Sequence, residues 1–263
     1  MNEGLIQKFF KKNEIKKYDF SKLHFIYLKK SKRDNSDIQD QKLVNYKWFV
    51  FQIIYLIWSK WANLVNKLFR NNQNFEKNFM LTLAATFKKI GYLKNNTLDL
   101  GGGCGSYRGF WKESIGKIYL NHDPQIGNFE FIKLDDKSVY MVEGRAETLP
   151  YKNNVFDTIL IADAIDHFSD PLKALNESNR VLEKRGKIII FQCSHLHLGE
   201  KINYISRLIQ KLKEAINHKI HINSMTNKDI KSVLVEAGYQ KIKFYKRKVR
   251  NNPINLMIYI AVK

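Results

Sequence analysis

The chain has 263 residues with 44% hydrophobic side chains, enough to bury a full core in one large domain or in a domain plus an extension. Its two cysteines, Cys104 and Cys193, exclude a disulfide framework and a thiolate metal cluster, and point to a reducing compartment. The net charge of +20 is uneven: residues 1–90 carry 18 basic and 7 acidic side chains, residues 91–200 carry 13 and 15, and residues 201–263 carry 14 and 3. Such ends suit anionic lipid, nucleic acid or an anionic substrate, although a composition biased to lysine and asparagine explains the same counts without a partner.

Residues 1–74 read as a basic, partly helical extension. Met1 to Lys17 is lysine-rich and has no apolar core beside a cleavage site, so no signal peptide is expected. Ser31 to Asp40 is polar enough for a loop. Trp48 to Trp58 is apolar except for Gln52, and Trp61 and Leu64 to Phe69 continue it at helical spacing, which predicts an apolar helix over 43–70. That run is too short to span a bilayer. With Lys47, Lys60, Lys67 and Arg70 beside its tryptophans it reads as a lid over the core, as a dimer contact or as an interfacial helix. Phe79, Leu83, Phe87 and Ile90 then predict an amphipathic helix from Phe75 to Tyr92, closed by Gly91.

Thr97 to Leu100 alternates apolar residues and predicts a buried strand that opens into Gly101, Gly102, Gly103 and Gly105. Ser106 can cap a helix running through Phe110 and Trp111. Strand, glycine turn and helix N-terminus form a floor for a nucleotide-like ligand, because missing β-carbons let the backbone approach. The spacing does not fit G-x-G-x-x-G, and without Gly-Lys-Ser/Thr there is no P-loop.

Lys117 to His122 predicts a second strand ending at Asp123-Pro124, where the carboxylate can accept hydrogen bonds from both ribose hydroxyls or serve only the turn. Ser138 to Glu143 predicts a third strand and Val155 to Ile161 a fourth, apolar enough for a sheet buried on both faces. A helix reaching Leu182 and a strand over Lys187 to Phe191 follow. Residues 192–226 hold four of the seven histidines, His195, His197, His218 and His221, around a helical stretch from Ile202 to Ile216. They could be metal ligands, but acidic or thiolate partners are missing and no metal is expected. A helix from Thr226 to Ala237 and strands near Lys241 to Tyr245 and Leu256 to Val262 complete the chain.

Asp99-x-Gly101-x-Gly103-x-Gly105 resembles the first motif of the class I S-adenosylmethionine (SAM) methyltransferases. Gly144-Arg-Ala-Glu-Thr-Leu-Pro-Tyr151 before Phe156-Asp157, His167-Phe-Ser-Asp-Pro171 and Arg180-Val-Leu-x-x-x-Gly186 resemble later motifs of the small-molecule branch that includes quinone and sterol methyltransferases (methyltransferase type 11). The resemblance covers residues 97–192 and implies an α/β fold: a Rossmann-like, seven-stranded, mostly parallel sheet with a closing antiparallel hairpin and helices on both faces. The domain would span 75–263, with an acceptor-site insertion at 192–226. It implies SAM as cofactor, with Gly101, Gly103 and Gly105 against its methionine and ribose, Asp99 on its ammonium group and Asp123 on the ribose. Ala146 and Glu147 would flank the adenine, with Arg145 where many members have aspartate, and Asp163 completes the implied set.

Methyl transfer to carbon or oxygen also needs a proton removed, and neutral histidine suits that role near pH 7. His167 leads the candidates, then His221, at a family position that often lines the acceptor pocket, and His195. The expected partner is a small-molecule acceptor, anionic or linked to lipid or glycan. RNA methylation and a SAM-binding module without activity are the alternatives, and Asp163-Ala-Ile-Asp166 lacks the Asn/Asp-Pro-Pro motif of DNA amine methyltransferases. The expected location is cytoplasmic, with peripheral contact at the inner face of the membrane.

Overall fold

Three strands, β3 (Thr97–Leu100), β4 (Tyr119–Asp123) and β5 (Val139–Glu143), are buried at every position. Strands covered on both faces are what a parallel sheet between helices demands. The computed structural model describes residues 3–21, 25–28, 75–93, 95–103, 105–111, 117–126, 138–193, 225–249 and 255–263. The apolar helix expected over 43–70, the helical stretch 202–216, Cys104, and His195, His197, His218 and His221 lie outside these residues.

Before the first buried strand come α1 (Glu3–Phe9), α2 (Lys12–Ile15), β1 (Tyr18–Asp19), β2 (Phe25–Leu28) and α3 (Phe75–Ile90). After β5 come β6 (Phe156–Ala162), α4 (Pro171–Val181), β7 (Leu182–Cys193), α5 (Asn227–Glu236), β8 (Gln240–Lys248) and β9 (Asn255–Val262). The sheet runs β1-β2-β5-β4-β3-β6-β7-β9-β8. Its seven strands from β5 to β8 are the expected set, parallel from β5 to β7 and closed by the antiparallel β9 and β8. Two further strands come from the amino-terminal segment: β2 pairs parallel to β5, and β1 antiparallel to β2. In sequence this segment reads only as a basic, partly helical extension, because strands this short carry almost no periodic signal.

Side chains alternate between two cores, one on each face. Leu98, Leu100, Leu120, Ile159 and Ile161 face α4 and α5, where Leu175 and Leu234 meet them. Tyr119, Leu160 and Ile189 face α3, where Leu83 and Phe87 pack. The ring of Phe87 stacks on Phe110 at 4.5 Å. Gly91 ends α3 at φ +90°, as expected of a helix-terminating glycine. α4 starts on Asp170, whose side chain accepts the Lys173 N–H at 2.9 Å, with Pro171 at its first position. α5 starts on a capping box between Thr226 and Asp229. Among the described residues no helix is long and apolar enough to cross a membrane.

The helix expected after the glycine turn is corrected. Ser106–Phe110 is a single 3₁₀ turn, its N-cap position is Gly105 in the left-handed region, and no side chain caps it. Trp111 is already extended and bridges Leu93. Gly109 inside so short a segment lowers helix propensity, while burial of Phe110 and Trp111 against α3 fixes the chain instead.

The amino-terminal segment is sewn into the domain. The Lys11 N–H donates to Pro150 O at 2.8 Å and the Lys152 N–H to Phe9 O at 2.7 Å. Phe9 and Phe10 are fully buried, Phe9 against Phe156 and Phe10 edge-on to Tyr151 at 5.1 Å. Phe10→Ala should therefore destabilise the whole domain by about 3–5 kcal/mol, the usual cost of emptying a buried aromatic site. Urea unfolding followed by tryptophan fluorescence measures it, and an unchanged midpoint would mean that the segment is not part of the cooperative unit.

Candidate active site

All the strand ends that matter point one way. Parallel β3, β4, β5 and β6 deliver the glycine turn, Asp123, Gly144–Glu147 and Asp163–His167 to one end of the sheet, where open α/β sheets bind ligands. Gly101, Gly103 and Gly105 have φ of +68°, +52° and +68°, a region that side chains rarely enter. A β-carbon on Gly101 would lie 2.7 Å from Ala164 Cβ, so the turn also presses against the loop after β6. Gly105 is buried above Asn121 and Met141, so it supports the turn from below.

The residue the motif reading left out is Gly102. A β-carbon there would collide with Asp99 Oδ2 and Asn121 Oδ1. The backbone can rest on this polar floor only because position 102 has no side chain. Four glycines in five residues were the available signal, and only a structure shows which one has no room.

Asp99 lies fully buried directly beneath the turn: the Tyr119 hydroxyl donates to its Oδ2, and its Oδ1 has no hydrogen-bond partner among the described residues. Burial pushes its carboxyl up to about 7; the Tyr119 hydrogen bond pulls against this, and the nearby Asp123 charge adds to it. Asn121, opposite Asp99 in the sheet register, donates through Nδ2 to Gly103 O at 2.7 Å.

Asp123 stands at the rim of the same turn. Its Oδ2 accepts the Gly103 N–H at 3.0 Å and its Oδ1 the Gln125 N–H at 2.7 Å. Burial raises its pKa, while those two backbone bonds and the field of His167 lower it. Both carboxylate oxygens thus fix the turn, and each keeps lone-pair capacity for a further donor.

His122, unremarked in the sequence, joins Asp123 to the loop after β5. Its ring is buried, with Nε2 3.3 Å from the Arg145 carbonyl and Nδ1 2.9 Å from the Tyr151 hydroxyl. A carbonyl only accepts, so Nε2 carries the proton and Nδ1 accepts from Tyr151. Burial lowers its pKa to about 4, which keeps it neutral. A side chain on Gly144 would run into this ring, so the motif glycine and the histidine require one another.

Ala146 is buried beside that loop. Glu147 accepts through Oε1 from the Ser169 N–H and hydroxyl, each at 2.8 Å, and so braces the loop before α4. Arg180 joins two motifs that are distant in sequence. Its guanidinium donates to Tyr151 O at 2.8 Å and Leu149 O at 3.0 Å, and Glu177 holds it at 2.7 Å. The Leu-Pro-Tyr loop is thereby pinned to α4.

Asp163 is exposed at the end of β6 with φ +55°, an uncommon conformation for a non-glycine residue and one that clusters at functional sites. His167 follows on a 3₁₀ turn with 41% of its side chain exposed. Its Nε2 lies 3.8 Å from Oδ1 of the buried Asp166.

The comparisons align with this geometry. The family model described as a methyltransferase domain matches residues 98–190, the stretch from β3 to β7 that supplies every loop just described. That match supports a class I SAM-dependent methyltransferase. The chain is 23% identical over 187 residues to an uncharacterized protein of Methanocaldococcus jannaschii, covering 71% of this chain and 82% of that one. It is 26% identical over 171 residues to the ubiquinone/menaquinone biosynthesis C-methyltransferase UbiE of a Shewanella strain, covering 56% of this chain and 67% of the relative. In fold it is similar to a SAM-dependent methyltransferase of Thermotoga maritima, with a TM-score of 0.52, 18% identity and coverage of 82% and 99%. It is also similar to a phosphoethanolamine N-methyltransferase of Haemonchus contortus, with a TM-score of 0.53, 16% identity and coverage of 73% and 53%.

The residues present fit SAM: a turn free of β-carbons, with a carboxylate at its rim and a second, buried carboxyl beneath it. Gly102→Ala should weaken SAM binding at least tenfold, whereas Gly109→Ala, where nothing lies within 4 Å of the added carbon, should leave it unchanged; calorimetry compares the two.

Two buried groups give opposed pH dependences. The raised Asp99 pKa makes stability fall as pH rises from about 4 to about 7, because only the native state holds the proton there. The lowered His122 pKa makes stability rise from about 4 to 6.5. Asp99→Asn removes the first slope alone. The variant should gain on the order of 2–4 kcal/mol relative to wild type between pH 4.5 and 8. Urea midpoints at both pH values check this, and parallel curves would show that Asp99 is ionised throughout.

Proposed function

We propose that this methyltransferase transfers the SAM methyl group to a carbon or oxygen of a small-molecule acceptor, a ring carried on a lipid. The observation that carries the reading is His167, a half-exposed imidazole on the turn after β6 with the buried Asp166 carboxylate beside it. It stands at the end of the sheet that holds the glycine turn and Asp123. Carbon and oxygen acceptors must lose a proton, and neutral imidazole near pH 7 can take one. Asp166 would orient the ring and stabilise the imidazolium it becomes. The likeness to UbiE, named for C-methylation in quinone biosynthesis, supports a ring carbon and a lipid tail.

SAM supplies an electrophilic methyl on a sulfonium centre. The chain's own work is placement. Gly101–Gly103 and Asp123 hold the cofactor. His122 and Arg180 hold the loop after β5, through the Arg145 carbonyl and the Leu149 and Tyr151 carbonyls. Glu147 holds the loop after β6, which carries the base. Burial raises the Asp99 carboxyl to about 7, which reduces the negative charge beneath the turn next to Asp123. We place the reaction on the cytoplasmic side, at the inner face of a membrane.

With radiolabelled SAM and fractionated cell extract, label should enter organic-soluble material. His167→Ala should cut turnover by about 10²–10⁴-fold with SAM affinity unchanged. Label in nuclease-sensitive material would replace this reading with RNA methylation, and near-normal turnover of the variant would move the base elsewhere.

A further inference from the structure

The outer strand at one edge of the sheet is unusually basic. β8 carries Lys241, Lys243, Lys246, Arg247 and Lys248 and no acid, and residues 237–263 as a whole hold seven basic side chains and no acidic one. The four lysines are exposed, and Arg247 is half-buried. Among the described residues none of the five has a carboxylate within ion-pair distance. α5 adds no net charge, since Lys228 and Lys231 are balanced by Asp229 and Glu236; Lys231 lies above the ring of Phe244 at 4.8 Å.

Register tells which way this edge points. β8 is antiparallel to β9, and β9 to β7, so Arg247 pairs with Leu256 and Leu256 with Cys193. Lys246, Arg247 and Lys248 therefore sit level with the carboxyl end of β7, the end of the sheet that carries the glycine turn, Asp123 and His167.

We propose that the β8 edge is a docking surface for an anionic lipid bilayer, which sets the cleft end of the sheet close to the membrane. Cations from Lys241 to Lys248 span about 23 Å at strand spacing. Such a row matches a field of headgroup charge, which demands neither pockets nor a fixed register. RNA would also need exposed rings for its bases, and here Phe244 and Tyr245 are packed against the cores. Protection of a sheet edge by lysine explains part of the pattern. It does not require five cations: the opposite edge, β1, is two residues long and carries an acid. The proposal deepens the reading of a lipid-linked acceptor and rests on it for its purpose, yet docking is measurable without turnover.

The test is co-sedimentation of the full chain with phosphatidylcholine vesicles, with or without about one-third phosphatidylglycerol. Binding should require the anionic lipid and fall at least tenfold between 0.1 and 0.5 M salt, where screening is strong. Lys243→Glu/Lys246→Glu/Lys248→Glu should lose at least tenfold in vesicle affinity. It keeps a charged edge, so it should remain monodisperse and bind SAM as wild type does. Vesicle binding that survives unchanged in the triple variant would overturn the proposal, as would no binding by wild type, or binding to RNA in preference to vesicles that the triple variant abolishes. If wild type binds vesicles but not SAM, the methyl-transfer reading fails and the docking surface stands.

Discussion

The site depends on a stretch of backbone lying directly on a buried polar floor. Asp99, Tyr119 and Asn121 occupy one face of β3 and β4, and the main chain at Gly102 comes close enough that a single β-carbon would displace them. An ionised carboxylate buried there would be costly, because burial penalises the charged form. A carboxyl near neutrality at pH 7, bonded to Tyr119, is the cheaper arrangement. Burial pushes the Asp123 carboxyl upward as well, against the pull of the Gln125 and Gly103 N–H groups that it accepts. Two acids 24 positions apart thus hold the turn together, Asp99 from beneath it and Asp123 through the Gly103 and Gln125 N–H groups.

A second constraint ties the loops to one another. The carbonyls of Leu149 and Tyr151 are held by Arg180 from α4, that of Pro150 by the Lys11 N–H, and that of Arg145 by His122. One loop is therefore gripped from a helix, from the amino-terminal segment and from the neighbouring strand. A loop so fixed loses little further entropy when a ligand arrives, which is the advantage of a pre-formed site. The short motifs that look like independent signatures are opposite ends of these hydrogen bonds.

This explains what could and could not be read from the residues. Strands β3 to β9 and helices α3 to α5 were legible, because their burial follows hydrophobic period, and glycine and capping residues mark their ends. The place of Asp123 and His167 at the ligand end was legible from strand order. The partners of Asp99 and Glu147 were not, because nothing local in the sequence brings Asp99 to the Tyr119 hydroxyl or Glu147 to Ser169. Gly102 was hidden among better-known glycines. His122 was hidden because a lone histidine in an apolar strand carries no sign of its partners, Tyr151 and Arg145, which only the fold brings to it. β1 and β2 were missed because two- and four-residue strands have too few positions to show alternation.

Charge follows the same division as chemistry. The segment that builds the cofactor site, residues 91–200, is slightly acidic, with 15 acidic and 13 basic side chains, whereas the final segment has 3 and 14. A sulfonium ligand is itself a cation, so a neutral-to-acidic cradle receives it without repulsion, and a basic one would not. The cations are instead carried to the far edge of the sheet on β8, four strands from the central β3. At an ionic strength near 0.15 M, fields decay within about 8 Å. Strand spacing of about 4.8 Å puts that edge some 19 Å from β3, beyond the reach of its lysines on the cofactor. The sheet can therefore present a cationic edge to an anionic partner and an acidic cradle to a cationic ligand at the same end, each without cost to the other.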